Sequence, residues 1–418
     1  MNVLNEGLME QILESENLQL AWKAVESNKG VAGIDHIKID EFIDHIRPHW
    51  EKLQAKIEEG RYKPSPVKRV YIPKGKGRRR PLGIPTVQDR FLQQAINQVL
   101  QRIFDKDFSE YSFGFRPGRS SHDAVKTALS FVQSGKDWVV DIDLQSFFDE
   151  VNHDILMNKV GKKIRDKRVL KLLGKYLRAG VFEDGEVSRS NKGVPQGGPL
   201  SPLLANIYLD SLDKELESRG VSFCRYADDC NIYVRSRKAA ERVFLSVTNW
   251  IEKNLKLPVN HKKSGTGRPW ERQFLGYQIT ESGTLKPSGK SLEKYKERVR
   301  ALFSGHVSMT STQLRDKWKD FVRGWCNYFS LSDEPWWRRR LSQWTRRHIR
   351  KCFWLRWHNS QGRKRNLERL GVSSKTIRRT CLTGSAWPMA RHFAMNSALN
   401  NSILLRFGFF VPQDFATK

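Results

Sequence analysis

Residues 138–149 read Trp-Val-Val-Asp-Ile-Asp-Leu-Gln-Ser-Phe-Phe-Asp. Alternation with a period of two puts Trp138, Val140, Ile142 and Leu144 on one face of a strand and Asp141 with Asp143 on the other. Further along, residues 221–235 read Val-Ser-Phe-Cys-Arg-Tyr-Ala-Asp-Asp-Cys-Asn-Ile-Tyr-Val-Arg, a pattern of strand, tight turn and strand. Asp228 and Asp229 fall at the turn, and Ile232 and Val234 return to a core. If the two strands are neighbours, three carboxylates converge, and an all-oxygen ligand set suits hard divalent cations, Mg²⁺ first. Two such ions would activate an attacking 3′-hydroxyl and neutralise a leaving pyrophosphate, so that nucleotidyl transfer needs no nucleophilic side chain. Adjacent aspartates at a turn are also ordinary solvated turn formers, so the tetrapeptide does not decide the matter alone.

Working outward, Gly193-Val-Pro-Gln-Gly-Gly-Pro-Leu-Ser-Pro-Leu-Leu-Ala-Asn-Ile-Tyr-Leu209 sets a glycine-rich turn before an amphipathic helix, where backbone can approach a substrate and Gln196 can reach it. Between about Trp138 and Tyr277, short apolar strands alternate with helices such as the one carrying Leu204, Ile207, Tyr208, Leu212 and Leu216, the pattern of a sheet backed by helices. Upstream, Val70 and Ile72 precede Lys74-Gly-Lys-Gly-Arg-Arg-Arg80 and Leu82 follows it, a hairpin tipped with cations. The opening segment has helical spacing at Leu8 and Ile12 and at Leu18, Trp22 and Val25. Beyond Lys286 strand signals fade into a helical, basic region.

The 418 residues carry a net charge of +29, far beyond what solubility needs and suited to displacing counterions from a polyanion. With 39% hydrophobic residues, 13 Trp and 22 Phe, the chain has material for real cores and is not a disordered basic tail. Five scattered cysteines form neither a metal-finger spacing nor a disulfide framework, which fits a reducing compartment. No positively flanked apolar leader and no run of 18 apolar residues is present, so a cytoplasmic protein without membrane contact is expected.

The Asp143 strand, the Gly193-to-Leu209 block and the Tyr226-to-Asp229 hairpin, in this order, resemble the palm of a reverse transcriptase, in the wording of the group II intron branch. Further matching blocks are Ile72 to Thr86, Ser112-Phe-Gly-Phe-Arg-Pro-Gly-Arg119, Val259-Asn-His-Lys-Lys-Ser264, Phe274-Leu-Gly-Tyr277 and Gly324-Trp-Cys-Asn-Tyr-Phe329. The resemblance implies an α+β right-hand polymerase: fingers with a helical N-terminal extension (1–135), a palm sheet backed by helices (136–284), an α-helical thumb or maturase domain, also called domain X (285–360), and a short basic DNA-binding region (361–418). It implies that Asp143, Asp228 and Asp229 are catalytic and hold two Mg²⁺ ions, with Asp141 a same-face neighbour outside the set. Phe148 would sit under the incoming sugar and exclude a 2′-hydroxyl, while Phe147 packs in the core. Lys74 and Arg80 would grip the triphosphate, with Lys76, Arg78 and Arg79 as alternatives on the same tip. Gln196 would contact the nucleotide and Lys263 would lie near the triphosphate, although Lys262 beside it leaves that assignment open. Phe274 to Tyr277 would support the primer or form a buried strand end. Arg116, Pro117 and Arg119 would mix backbone shaping with template contacts.

From Trp336 to Thr380 there are 15 Lys or Arg against one acid, Glu368. Trp337, Leu341, Trp344, Cys352 and Leu355 line one helical face as core, leaving Arg338, Arg339, Arg346, Arg347, Arg350 and Lys351 to track phosphates. By resemblance the partners are intron RNA or an RNA template, a DNA primer and target DNA, and deoxynucleoside triphosphates; dimerisation stays open. Ending at Lys418 without paired cysteines and histidines, the chain resembles the class C lineage that lacks an HNH endonuclease, and second-strand cleavage is not expected. The alternatives are a free-standing relative used in DNA repair or defence, a splicing cofactor with a vestigial polymerase site, and a DNA-templated polymerase or primase.

Overall fold

The computed structural model describes residues 7–75, 77–189, 191–305, 308–332, 335–380, 382 and 384–415; at Lys74, Gly75 and Arg78 only the backbone is described. Lys76 and the side chains of Lys74 and Arg78, all named above as candidate phosphate contacts, therefore lie outside the described residues. By internal contacts the chain forms two compact units, Met1–Arg268 and Pro269–Lys418, a coarser division than the four regions expected from the sequence.

Among the described residues the first unit contains two four-stranded sheets. One has the order β2-β1-β4-β5, built from β1 (Val67–Gly75), β2 (Arg78–Ile84), β4 (Val181–Glu183) and β5 (Glu186–Ser188). Antiparallel β1 and β2 pair Val70 with Leu82 and Ile72 with Arg80, so the basic hairpin forms, and β4 joins it in parallel through Val67 and Val181. The other sheet is antiparallel throughout, in the order β6-β7-β3-β8, from β3 (Trp138–Ile142), β6 (Ser222–Tyr226), β7 (Asp229–Val234) and β8 (Gly265–Gly267). The two strands read first in the sequence are thus direct neighbours, with Asp141 opposite Asn231 and Ile142 opposite Cys230.

Val140, Ile142, Phe223 and Ile232 are fully buried in a single apolar cluster that runs from Leu8 to Val259. Burying each such side chain contributes roughly 1.5–3 kcal/mol, which pins the register because a one-residue slip would turn the apolar set outward. The helix Ser201–Ser218 starts with proline in its first turn and buries Leu204, Tyr208, Leu209, Leu212 and Leu216 in the same cluster.

In the second unit, β9 (Tyr277–Ile279) and β10 (Leu285–Pro287) form a small antiparallel pair, followed, among the described residues, by the helices Gly289–Leu302, Ser311–Tyr328 and Pro335–Arg356 and five short helices. Trp337, Leu341 and Cys352 are buried as the helical spacing predicts. Trp344 and Leu355 are only half-buried, because the buried stripe passes through Thr345 and Ile349 instead. Thr345 is tolerated there because its hydroxyl donates to the Leu341 carbonyl at 2.8 Å. Among the described residues no helix is long and apolar enough to cross a membrane.

Candidate active site

Asp143 follows the last residue of β3, and the chain there is clamped by the segment 260–264. The Asp143 amide donates to Ser264 Oγ at 2.8 Å, its carbonyl accepts from the Asn260 amide at 2.9 Å, and both carboxylate oxygens accept from Lys263 Nζ at 3.1 Å. The turn is closed by the Lys263 and Ser264 amides donating to the Asn260 carbonyl. Of the two adjacent lysines, Lys263 is the one on the acid. Asp141, one residue pair inside the sheet, accepts at 3.2 Å from the Asn231 amide when that amide is oriented to donate.

Asp228 lies in the turn between β6 and β7, and Asp229 opens β7 opposite Tyr226. The Asp229 carboxyl is pushed up to about 6, first by the protein crowded around it, then by the charges of Asp228, Asp141 and Asp143, with Lys263 pulling the other way. Its side chain nevertheless touches solvent freely, so the carboxyl is hemmed in on several sides while open on one. Acids from two strands and one turn therefore share one electrostatic locus. Among the described residues no three carboxylate, imidazole or thiol groups are closed up into a ready ligand set for an ion. The donors that meet here are oxygens only, and their mutual repulsion is what a hard divalent cation would relieve, so the residues fit such an ion.

What holds this turn in place is a group that the sequence reading did not single out. Arg225 in β6 is fully buried, as is Asp213 on the helix Ser201–Ser218, and the two pair twofold at 2.6 and 2.5 Å. The remaining guanidinium N–H groups go to Asn206 Oδ1 (3.1 Å), the Ala227 carbonyl (2.9 Å) and Ser112 Oγ (2.7 Å). Ala227, beside Asp228, has a left-handed φ of 58°, and the Arg225 bond secures its carbonyl. The legible signal was a cation in the middle of an otherwise apolar strand, which calls for a buried anion.

Around the acids, Arg80 Nε donates to Gln196 Oε1 at 2.8 Å, and the Gly83 amide donates to the Gln196 carbonyl at 2.7 Å. The basic hairpin and the glycine-rich turn are thus stitched together at two residues read separately from the sequence. Gly197 has a φ of 122°, and a Cβ there would lie 2.6 Å from the Gly83 carbonyl oxygen, so only glycine allows this approach. Phe148 and Gln196 line one cleft of about 460 Å³ with Arg69, Pro81, Gly83 and Asp149. Phe147 is buried against Tyr208, with ring centroids 6.3 Å apart. Phe148 is 9% exposed and meets Phe147 edge-on at 5.1 Å, so it belongs to the core while presenting a surface to the cleft.

Arg116 departs from the expected template contact. All five of its N–H groups are used internally, on both Asp105 carboxylate oxygens and the carbonyls of Asp105, Ser109 and Ser112. It staples the loop and has no donor left for a phosphate. Arg119 donates to the Glu110 carbonyl at 2.5 Å and stacks its guanidinium 5.7 Å from the Phe113 centroid, so it too is partly committed to local structure.

In the second unit, Phe274 and Tyr277 are buried and exchange two backbone hydrogen bonds of 2.9 Å. The Tyr277 ring lies 5.0 Å from Phe329, joining two of the sequence blocks in one aromatic cluster, which is the buried-strand reading of that segment. On the long helix Arg339 and Arg347 are exposed, and Arg338 lies over Trp337 at 5.3 Å. Arg346 faces Asp414 at 3.5 Å, and Lys351 lies over Trp387 at 5.3 Å. Arg350 is buried and donates to the Leu399 carbonyl at 2.9 Å, an internal tie that the phosphate-tracking expectation did not include.

Comparison with known proteins adds two family matches: reverse transcriptase (RNA-dependent DNA polymerase) over residues 72–279 and the group II intron, maturase-specific domain over residues 292–371. Protein YkfC of Escherichia coli (strain K12) is 34% identical over 297 residues, which are 62% of this chain and 78% of that protein. Group II intron-encoded protein LtrA of Lactococcus lactis subsp. cremoris is 30% identical over 385 residues, 75% of this chain and 62% of that protein. A putative COX1/OXI3 intron 2 protein of Saccharomyces cerevisiae is 28% identical over 71% of this chain and 42% of its own length. The chain thus spans less than two thirds of the length of LtrA. Reverse transcriptases depend on divalent metal, and the two matched domains imply binding of RNA and DNA. The ordered palm blocks, the maturase-specific match and the extent of the shared sequence together make this chain a member of the group II intron-encoded reverse transcriptase/maturase family.

Proposed function

We propose that this chain makes cDNA on an RNA template by nucleotidyl transfer with two Mg²⁺ ions held by Asp143, Asp228 and Asp229, and that it binds its parent intron RNA to promote splicing and mobility. The observation that carries the polymerase reading is the β3–β7 register, which pairs Ile142 with Cys230 and so brings Asp143, next after Ile142, and Asp229, just before Cys230, to the same end of the sheet as the turn that carries Asp228. Bound there, the divalent ions supply activation of the primer 3′-hydroxyl and charge neutralisation on the departing pyrophosphate.

The protein's own residues do the positioning. Ser264 and Asn260 fix the backbone of Asp143, and Arg225 fixes the turn that carries Asp228, so the backbone beneath these carboxylates is held in place and only their side chains adjust. Lys263 balances Asp143, and on this reading its ammonium would pass to the triphosphate of the incoming nucleotide. Arg80 and Gln196 form a linked pair that would meet the nucleotide from the fingers side, with Lys74 as a further candidate. Phe148, backed by Phe147, offers a rigid surface against which a 2′-hydroxyl would clash.

The test is extension of a DNA primer on an RNA template with Mg²⁺ and deoxynucleotides, comparing wild type with Asp228→Ala/Asp229→Ala. Product from wild type and none from a variant that still binds RNA is the expected result. A folded wild type that makes no product across templates and salt concentrations would remove the polymerase reading and leave an RNA-binding splicing cofactor.

A further inference from the structure

The long helix Pro335–Arg356 and the chain beyond residue 386 close around a concavity of about 430 Å³, within the roughly 300–1,000 Å³ of small-ligand pockets. Five guanidinium groups line it: Arg339, Arg346, Arg347 and Arg350 from the helix and Arg391 from the helix Ala386–Arg391. Among the described residues Arg339, Arg347, Arg350 and Arg391 have no carboxylate partner, and Arg346 has only Asp414 at 3.5 Å. Arg350 is 8% exposed, and burial together with the charges of Arg346 and Arg347 draws its pKa down to about 10. Its Nε is spent on the Leu399 carbonyl, and its Nη2 reaches Asn401 Oδ1 only at 3.5 Å. A buried cation among like charges is costly unless an anion completes the site. Charge is not all the wall offers. Gln343 and Asn401 bring exposed amides, side chains able to pair with the hydrogen-bonding edge of a base, while Asn396 Nδ2 already donates to the Arg391 and His392 carbonyls at 3.0 and 3.2 Å and leaves only its oxygen to accept.

We propose that this concavity is a pocket for one unpaired nucleotide of a single strand, held by its phosphodiester on the arginines and by its base on the amides. The proposal rests on the nucleic-acid-binding reading above and deepens it. It assigns roles to Gln343, Arg391, Asn396 and Asn401, and it joins the long helix and the C-terminal segment into one recognition element. Arginine forks with amides favour a nucleotide over a bare phosphate, which would leave the amides unused.

The test measures binding of the full chain to labelled single-stranded RNA and DNA of the same mixed sequence and to the corresponding duplex, by fluorescence anisotropy over a salt series. Gln343→Ala/Asn401→Ala removes no charge and is expected to weaken single-strand binding about tenfold with an unchanged salt slope. Arg347→Gln/Arg391→Gln is expected to weaken binding and to lower the slope by about 0.7, the share of the one phosphate that the pocket holds. Arg365→Gln/Arg369→Gln removes the same charge from exposed positions on the helix Ser360–Arg369 and is expected to have a clearly smaller effect. All these side chains are exposed, and unchanged melting curves establish that the variants fold. Preference for RNA or for DNA identifies the source of the strand, and either supports the pocket. Equal losses from the two arginine pairs with no loss from the amide pair, or undiminished preference for duplex, would overturn it in favour of a general cationic face. If wild type binds no strand at all, the broader nucleic-acid reading fails, an outcome distinct from wild-type binding that ignores the pocket variants.

Discussion

Asp213→Asn should leave the Arg225 guanidinium charged, fully buried and without its counterion. Both side chains are 0% exposed, so water cannot replace the lost carboxylate, and breaking such a pair costs about 3–5 kcal/mol. That is a large fraction of the roughly 5–15 kcal/mol that holds a domain together. At about 2–4 °C per kcal/mol for a domain of 150–250 residues, the melting temperature should fall by roughly 6–20 °C. The double variant Arg225→Met/Asp213→Leu removes both charges and keeps apolar volume, so most of that stability should return. Activity should not return with it, because the Ala227 carbonyl, Asn206 and Ser112 lose their shared donor and the turn carrying Asp228 loses its anchor. Circular-dichroism melting and primer extension on the same preparations separate the two effects. A single variant that melts within two or three degrees of wild type would show that the pair is not sealed from water. A double variant with full extension rate would show that the acidic turn does not depend on Arg225.

Three further outcomes are expected. Asp229 has a folded carboxyl at about 6 against an ordinary 3.8, so the folded protein holds this proton more tightly than the unfolded chain does. Without divalent cations, the stability gained from that proton is complete below about pH 4 and is lost as pH rises through about 6; the wild-type minus Asp229→Asn difference should follow this curve. The full shift would be worth ~3 kcal/mol, reduced to ~1 kcal/mol because the side chain is open to solvent, so Asp229→Asn should be slightly more stable at neutral pH while inactive; a pH-independent difference would refute the coupling. Gly197→Ala, forced against the Gly83 carbonyl at positive φ, should destabilise by about 1–3 kcal/mol and raise the KM for deoxynucleotides by displacing Gln196, which steady-state kinetics would check. Phe148→Ala should increase incorporation of ribonucleotides relative to deoxynucleotides by about 10- to 100-fold in single-nucleotide extension, and an unchanged ratio would remove the sugar-gate role.

Local chemistry made much of this protein legible before any fold was known. Alternation in residues 138–144, the turn at Ala227-Asp228-Asp229, the cationic hairpin and the excess of arginine after Trp336 each follow from the side-chain period of a strand, the needs of a turn or the charge of a polyanion. These are interactions over a few residues or sums over the whole chain, and a linear sequence displays both. Partner choice over long separations is another matter. That Lys263 and not Lys262 sits on Asp143, that Arg80 meets Gln196 and that Arg225 finds Asp213 depends on strand register and helix packing. Arg116 and Arg119 look alike as cations beside a proline and a glycine, yet one has every donor buried in its own loop. Arg350 reads as one more basic residue on a long helix until the segment around Leu399 covers it. Sequence determined which residue types stand in which local patterns; the tertiary structure decided which charges are compensated, because desolvation and hydrogen-bond geometry exist only once distant segments are packed together.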